Sequence, residues 1–232
     1  MKLVLASNNA KKLVELRVLL AGLPGLAANG IVSQGSLGIP EADEPHHTFV
    51  ENALHKARHA ARASGCAAIA DDSGLCVAAL GGAPGVASAH FAGDLATVDG
   101  EDREARRARQ DAANNAALLA ALSAPLSAPL SAPPSAEHTP DADRRGHFIS
   151  TLVAVRHADD PEPLVAVGRW PGQILLQPRG IHGFGYDPLM FIPALGATVA
   201  EMDADQKNRH SHRARSAALL RSLLAEVWFA SP

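Results

Sequence analysis

The stretch Ala70-Asp71-Asp72-Ser73-Gly74-Leu75 decides how this chain is read. It follows an apolar run, Cys66-Ala67-Ala68-Ile69, that reads as a buried strand, and Gly74 is expected to turn the chain. Two neighbouring carboxylates at the end of a buried strand are costly unless positive charge meets them. A divalent cation, or a charged ligand held through one, would supply it. Side chains alternate along a strand, so Asp71 and Asp72 point to opposite faces. One of them is expected in a site, and the other anchors the loop through backbone hydrogen bonds. An Asx-turn that merely closes the strand is the plainer account of an Asp-Ser-Gly cluster, so the rest of the chain has to decide.

Towards the N-terminus, Lys2 to Ala6 reads as a strand buried on both faces. It runs into Ser7-Asn8-Asn9-Ala10-Lys11-Lys12 and then a helix carrying Leu13, Leu16 and Leu20 on one face. A strand, a small polar turn and a lysine-bearing helix start can cradle phosphate, because backbone N–H groups and the helix dipole favour an anion there. The turn lacks the glycines and the Gly-Lys-Ser/Thr ending of a Walker loop. An ordinary helix cap with surface lysines is the alternative.

After Gly22 to Gly38, with a short strand at Ile31 to Gln34, comes an acidic loop holding Glu41, Asp43 and Glu44. It is either a solvated loop or the source of a carboxylate that joins Asp72 around magnesium, which commonly takes one or two carboxylates plus substrate phosphates. Thr48 followed by Glu51 is a capping-box signature. It opens a helix expected to run to about Ala63, with Phe49, Ala53, Ala57 and Ala60 inward and Asn52, Lys56 and Arg58 polar along it.

Beyond the central stretch, Cys76 to Leu80 is a second apolar run, and Gly81 to Gly85 forms a tight Gly/Pro loop that approaches a ligand or reverses the chain. Glu101 to Leu122 reads as a long helix with a solvated charged face. Residues 123–146 repeat Leu-Ser-Ala-Pro and then stay polar, which marks a low-complexity insertion. Phe148 to Val155 and Leu164 to Leu175 read as paired strands. The loop Gly183-Phe184-Gly185-Tyr186-Asp187-Pro188 does not follow a dinucleotide-binding fingerprint. Its aromatic pair beside an aspartate suits a flat base, or else packs in the core. Lys207, His212 and Arg213 gather at the start of the last helix, where cations oppose the helix dipole. They attract phosphate or a purine oxygen, or are surface charges.

Composition narrows the partners. With 21 basic and 24 acidic residues the net charge is −3, so the strong basic excess of a general nucleic-acid or membrane binder is missing. Aromatics are only 4% against 47% hydrophobic residues, which leaves a core of Leu, Val, Ile and Ala. The two cysteines, Cys66 and Cys76, lack zinc or redox spacing, and Met1 to Ala6 is too brief for a signal-peptide core. A soluble cytoplasmic protein with no nucleic-acid or membrane partner is expected.

Taken together the chain resembles the inosine triphosphate pyrophosphatase family. The resemblance rests on SNNAKK (7–12), TFVENALHKA (48–57), ADDSGL (70–75), LGGAPGVASAHFAG (80–93), GFGYDP (183–188) and AEM followed by KNRHSHR (200–213), in that order along nearly the whole chain. Ser7 stands where many members have threonine, and 123–146 reads as an insertion into a single domain spanning 1–232. The resemblance implies an elongated, two-lobed α/β structure with a central mixed β-sheet flanked by helices and a nucleotide cleft between the lobes. It implies hydrolysis of ITP, dITP and XTP to the nucleoside monophosphate and pyrophosphate, with Mg2+ as cofactor, in a homodimer. Asp72 would be the general base and a metal ligand, with Glu44, or Glu41, as the second acid. Ser7, Asn8, Asn9, Ala10, Lys11 and Lys12 would hold the triphosphate, with Lys56 nearby and Ser73 touching the nucleotide. Phe184, Gly185, Tyr186 and Asp187, together with Lys207, His212 and Arg213, would meet the base. The rival readings are a nucleotide-binding regulator without turnover, in which Asp72 has little use, and a phosphatase of the Asp-x-Asp type, whose spacing Asp71-Asp72 lacks.

Overall fold

The structure is a computed structural model that describes residues 2–23, 25–27, 30–123 and 144–229. Seven strands form one mixed sheet: β1 (Leu3–Leu5), β2 (Ile31–Ser33), β3 (Ala67–Val77), β4 (Arg145–Val155), β5 (Leu164–Ile174), β6 (Met190–Ile192) and β7 (Ala197–Thr198). Their order is β2-β1-β3-β4-β5-β6-β7. β1 runs parallel to both β2 and β3, pairing Leu3 with Ile31 and with Ala67. β6 is antiparallel to both β5 and β7. The helices are α1 (Ala10–Leu19), α2 (Phe49–Ser64), α3 (Arg103–Ser123), α4 (Ala204–His210) and α5 (His212–Leu223). Among the described residues no helix is long and apolar enough to cross a membrane.

The chain divides into two compact units, one of residues 1–73, 149–170 and 207–232, the other of 74–148 and 171–206. The three long strands each contribute residues to both.

In the first unit, strand alternation sorts the core into two layers. Leu3, Leu5, Ile69 and Leu152 pack with Leu16 and Leu20 of α1 and with Leu220 of α5. Val4, Ala68, Ala70 and Val153 pack with Ala53, Ala57 and Ala60 of α2. The alanines of α2 and β3 let helix and sheet approach closely, which is how a chain poor in aromatics fills its interior. Carried one step along β3, the same alternation aims Asp71 at the α1/α5 face and Asp72 at the α2 face.

Three expectations change here. Gly74 does not turn the chain: β3 continues from Ala67 to Val77, through both aspartates and Gly74. The second apolar run is therefore the end of β3 followed by a short 3-10 turn, Ala78–Leu80. The ends of the expected insertion are also regular, since Ser123 closes α3 and Arg145 opens β4. The remainder of that segment, 124–143, lies outside the described residues.

In the second unit α3 buries Leu118 and, less expectedly, Asn114. The loop 183–188 precedes β6, and a capping box between Thr198 and Glu201 shapes the turn after β7.

Candidate active site

The two aspartates of β3 are both buried, and their surroundings differ. The Asp71 carboxylate receives the Arg213 guanidinium through Nε at 3.0 Å and Nη2 at 2.9 Å. Lys12 Nζ lies 3.2 Å from the same oxygen, and the Ser150 hydroxyl donates to the other at 2.8 Å. Arg213 also pairs with Glu15, which faces Lys207 at 3.4 Å. Burial would raise the Asp71 pKa, but Arg213, Lys12 and the Ser150 hydrogen bond overcome it and hold the carboxyl well below the usual range. Asp71 is thus a fixed anion that joins β3 to α1, β4 and α5.

Among the described residues Asp72 has one hydrogen-bonding partner. Lys56 Nζ of α2 donates to its Oδ1 at 2.7 Å, while Oδ2 is buried with no hydrogen bond. The same ammonium reaches Glu44 Oε1 at 3.0 Å. Burial pushes the Asp72 pKa up and the nearby Glu44 adds to the rise, so that Lys56 only partly offsets it. Burial pulls Lys56 down, yet Asp72 and Glu44 together leave it above its ordinary value. A carboxylate with a raised pKa and a vacant buried oxygen is chemically primed to take a proton.

Local structure explains this placement. Thr48 caps α2 by accepting the Glu51 N–H, as the capping box implies. Asn52 then closes the preceding loop by bonding both the N–H and the carbonyl of His46. That closure brings the acidic loop back over α2. The polar residues Asn52 and Lys56 are therefore buried rather than solvated. Of the loop acids from which one was expected to join Asp72, Glu44 shares its lysine, whereas Glu41 accepts the Asn8 N–H at 3.3 Å.

The stretch 7–12 forms an N-terminal helix cap. Asn9 Oδ1 accepts the N–H groups of Lys11 and Lys12, and the Ser7 hydroxyl accepts that of Asn9. Lys12 and Lys56, from α1 and α2, both reach the Asp71 carbonyl, at 3.3 and 3.4 Å. Burial and the neighbouring Arg213 and Lys56 charges lower the Lys12 pKa against the pull of Asp71. Two ammonium groups converging at one strand residue beside a helix N-terminus make a strong local attractor for an anion. Ser73 donates to Asp71 and accepts from Arg213.

Arg213, expected at the base, is instead fully buried against Asp71, Glu15 and Ser73. Lys207 lies on α4, ahead of the last helix, and Ser211 caps α5. His212 is buried; desolvation and the adjacent Arg213 hold its pKa well below 6.5, so its ring is neutral.

The second unit holds the aromatic loop. Tyr186 and Asp187 are buried and Phe184 is half-buried. The Tyr186 hydroxyl donates to the Ser88 carbonyl at 2.9 Å. Asp187 accepts the Phe184 N–H at 3.0 Å. Gly183 is required there, since its φ is +79° and a Cβ would fall 2.0 Å from the Asp187 carboxylate. The aromatic pair splits: Tyr186 anchors the loop, and Phe184 is the ring with accessible surface.

Several residues at these centres were not singled out from sequence. Glu15, Ser150 and Ser216 extend the Asp71 network, Ser150 and Ser216 being 2.9 Å apart. Asp111, Asn114 and Asn115 of α3 hold the second unit's loops. A polar pair at 114–115 inside an alanine and leucine run was the available signal.

This combination, a mixed α/β sheet with a strand-borne aspartate pair met by lysines from two flanking helices, has a known family. The Ham1 family model matches residues 3–223, and the chain belongs to the Ham1 family. Among its relatives, a dITP/XTP pyrophosphatase of Methylibium petroleiphilum is 61% identical over 230 residues, covering 99% of this chain and 100% of that one. A dITP/XTP pyrophosphatase of Leptothrix cholodnii is also 61% identical, covering 98% and 99%. Among solved structures, a HAM1 protein from Coxiella burnetii superposes with a TM-score of 0.79 at 38% identity, covering 98% of this chain and all of that one. The Staphylococcus aureus Ham1 protein gives 0.74 at 31%, covering 97% and 99%.

Proposed function

We propose that this protein is a nucleoside triphosphate pyrophosphatase that hydrolyses noncanonical purine triphosphates, ITP, dITP and XTP, to the monophosphate and pyrophosphate. The names of its relatives support the substrate class. The observation that carries the chemistry is Asp72, whose buried Oδ2 has no hydrogen-bond partner among the described residues while Oδ1 is held by Lys56.

In this reading Asp72 takes a proton from water as the water oxygen attacks the α-phosphorus. The bond to the bridging oxygen breaks, and its electron pair leaves with pyrophosphate. The raised pKa makes Asp72 a better base than a solvated aspartate, and Lys56 fixes its orientation. Lys12 and Lys56 offset phosphate charge, and Ser7, Asn8, Asn9 and the backbone of Ala10 and Lys11 line the anion's approach to α1. Most of the catalysis is electrostatic positioning, as in other phosphoryl transfers.

The residues also fit a magnesium ion. Asp72 and the half-exposed Glu44 are two carboxylates that share Lys56. Magnesium needs one or two carboxylates and completes its shell with water and phosphate oxygens. When bound, it would neutralise charge developing on the phosphates. Phe184 is proposed to stack on the base, with Gly185, Tyr186 and Asp187 as its support. Lys207 and His212 are proposed as substrate contacts and Arg213 as their anchor. A homodimer and a cytoplasmic setting are proposed from the family resemblance, the first open to light scattering.

The test is pyrophosphate release from ITP, dITP and XTP against ATP and GTP with magnesium. Selective release of pyrophosphate and monophosphate supports the reading. Orthophosphate as the product, or equal rates on all five, overturns it.

A further inference from the structure

Gly185 has no secondary-structure partner, yet both of its backbone groups are held by side chains of α3. Its N–H donates to Asp111 Oδ2 at 2.8 Å, and its carbonyl accepts from Asn115 Nδ2 at 2.9 Å. Asp111 and Asn115 are four residues apart, hence on one face of the helix, and Asn115 Nδ2 also donates to the Asp111 carbonyl. The Gly185 N–H belongs to the peptide that follows Phe184, and the carbonyl to the peptide that precedes Tyr186. Gripping both fixes the two peptide planes between the aromatic residues. The neighbouring pair on α3 holds the surface under the loop. Asn114 donates to the Ala89 carbonyl at 2.9 Å and accepts the Ala92 N–H at 2.9 Å. Gln110 bonds the Gly93 carbonyl and the Leu95 N–H. Ser88, which receives the Tyr186 hydroxyl, lies at the start of that segment.

Asp111 and Asn115 are half-buried, so holding the loop through them costs desolvation that apolar contacts would not. What they provide is direction. We propose that Asp111 and Asn115 are positioning residues that set affinity for the purine base by locking the Phe184–Tyr186 loop in its base-stacking conformation. The proposal rests on the reading that this loop meets the base. Neither residue touches the reacting atoms, so their loss acts on binding through loop order and leaves the chemical step intact.

The experiment compares Asp111→Ala, Asp111→Asn and Asn115→Ala in the full chain, with kcat and KM for ITP and the inhibition constant of tripolyphosphate, which has no base. Asp111→Ala removes a charge-assisted hydrogen bond and should raise KM about tenfold or more. Asn115→Ala removes a neutral one and should raise it about fivefold. Asp111→Asn keeps an acceptor and should restore KM to within about threefold of the parent. In every variant kcat and the tripolyphosphate constant should stay within about threefold, because the phosphate and proton chemistry lies on other residues. A second readout needs no substrate. Tyr186 is the chain's single tyrosine, and burial, with Asp111 adding, raises its pKa above 10.0. Its ultraviolet titration should stay high in Asp111→Asn, where the loop remains seated, and fall towards 10.0 in Asp111→Ala.

An unchanged KM in folded Asp111→Ala and in Asn115→Ala overturns the proposal. So does a parallel loss in kcat and tripolyphosphate affinity, which would mark a global structural role. Should Asp111→Ala fail to fold, Asn115→Ala alone decides. If the parent shows no preference for ITP over ATP, the base-reading assignment of the loop fails, and the tyrosine titration still tests the grip.

Discussion

Two isosteric substitutions one residue apart should fail in different ways. Asp71→Asn strips the charge from a carboxylate whose side chain is fully buried against Arg213, itself 1% exposed, and Lys12. Arg213 keeps Glu15, but one oxygen that took two of its N–H groups and the Lys12 ammonium becomes a neutral amide. Removing one member of a buried ion pair costs about 3–5 kcal/mol, since the other charge stays desolvated. At roughly 2–4 °C per kcal/mol for a chain of this size, Tm should fall by on the order of 10 °C. Asp72→Asn is the reverse case. Lys56 keeps an acceptor at Oδ1, and the folded protein already disfavours the charge on this group, as its raised pKa shows. Tm should hold or rise, while kcat falls by on the order of 100- to 10,000-fold with the loss of a general base. Differential scanning calorimetry and pyrophosphate release measure the two quantities. The reasoning is refuted if Asp72→Asn melts as low as Asp71→Asn, or retains more than about a tenth of the parent rate.

Three further outcomes follow from the same geometry. Asp71 has a depressed folded-state pKa, so its stabilisation is complete above its ordinary value of 3.8 and is lost as pH falls beneath it. The urea midpoint of the parent should therefore drop more between about pH 5 and about pH 3 than that of Asp71→Asn, and equal slopes would count against the assignment. Lys56→Met leaves Asp72 buried without its cation, which raises the Asp72 pKa further; the acid limb of kcat/KM should move to higher pH, and a fixed limb would separate Asp72 from the base role. A Cβ on Gly35 would fall 2.3 Å from Asn8 Oδ1, so Gly35→Ala should displace the Asn8 amide and raise KM. Adding Asn8→Gly removes the obstruction, and the double variant should recover a Tm that the single one loses; additive losses would refute the contact.

The first strand, the capped α2 and the long α3 were legible because each is written locally, in an apolar run or a capping box. The length of β3 was not. Asp-Ser-Gly carries turn propensity, but Asp71 finds Ser150 and Arg213 and the Leu75 N–H finds the Ser88 hydroxyl, so long-range bonds keep the strand extended. Asn52 and Lys56 were legible only as polar positions along α2, because their partners come from elsewhere: His46 and Glu44 from the loop ahead of the helix and Asp72 from β3. Arg213 stood out in the sequence for its awkward place at a helix start, yet no spacing reveals that its partner is Asp71. Sequence gives the charges; the pairing is a property of the fold.

The Arg213–Asp71 bond also bears on when this enzyme can exist. The two residues are 142 positions apart. During synthesis, at roughly 5–20 residues per second, β3 waits on the order of ten seconds or more for the guanidinium that neutralises it. Until α5 docks, Lys12 is, among the described residues that precede α5, the side-chain cation paired with the Asp71 carboxylate, and the Ser150 hydroxyl is its neutral partner. Translation interrupted between Ser73 and Arg213 therefore yields a chain with the phosphate-facing residues up to Ser73 but without the guanidinium that pairs with Asp71. A nascent or truncated copy should leave the nucleotide pool untouched, and activity should appear in one step as the last helix seats.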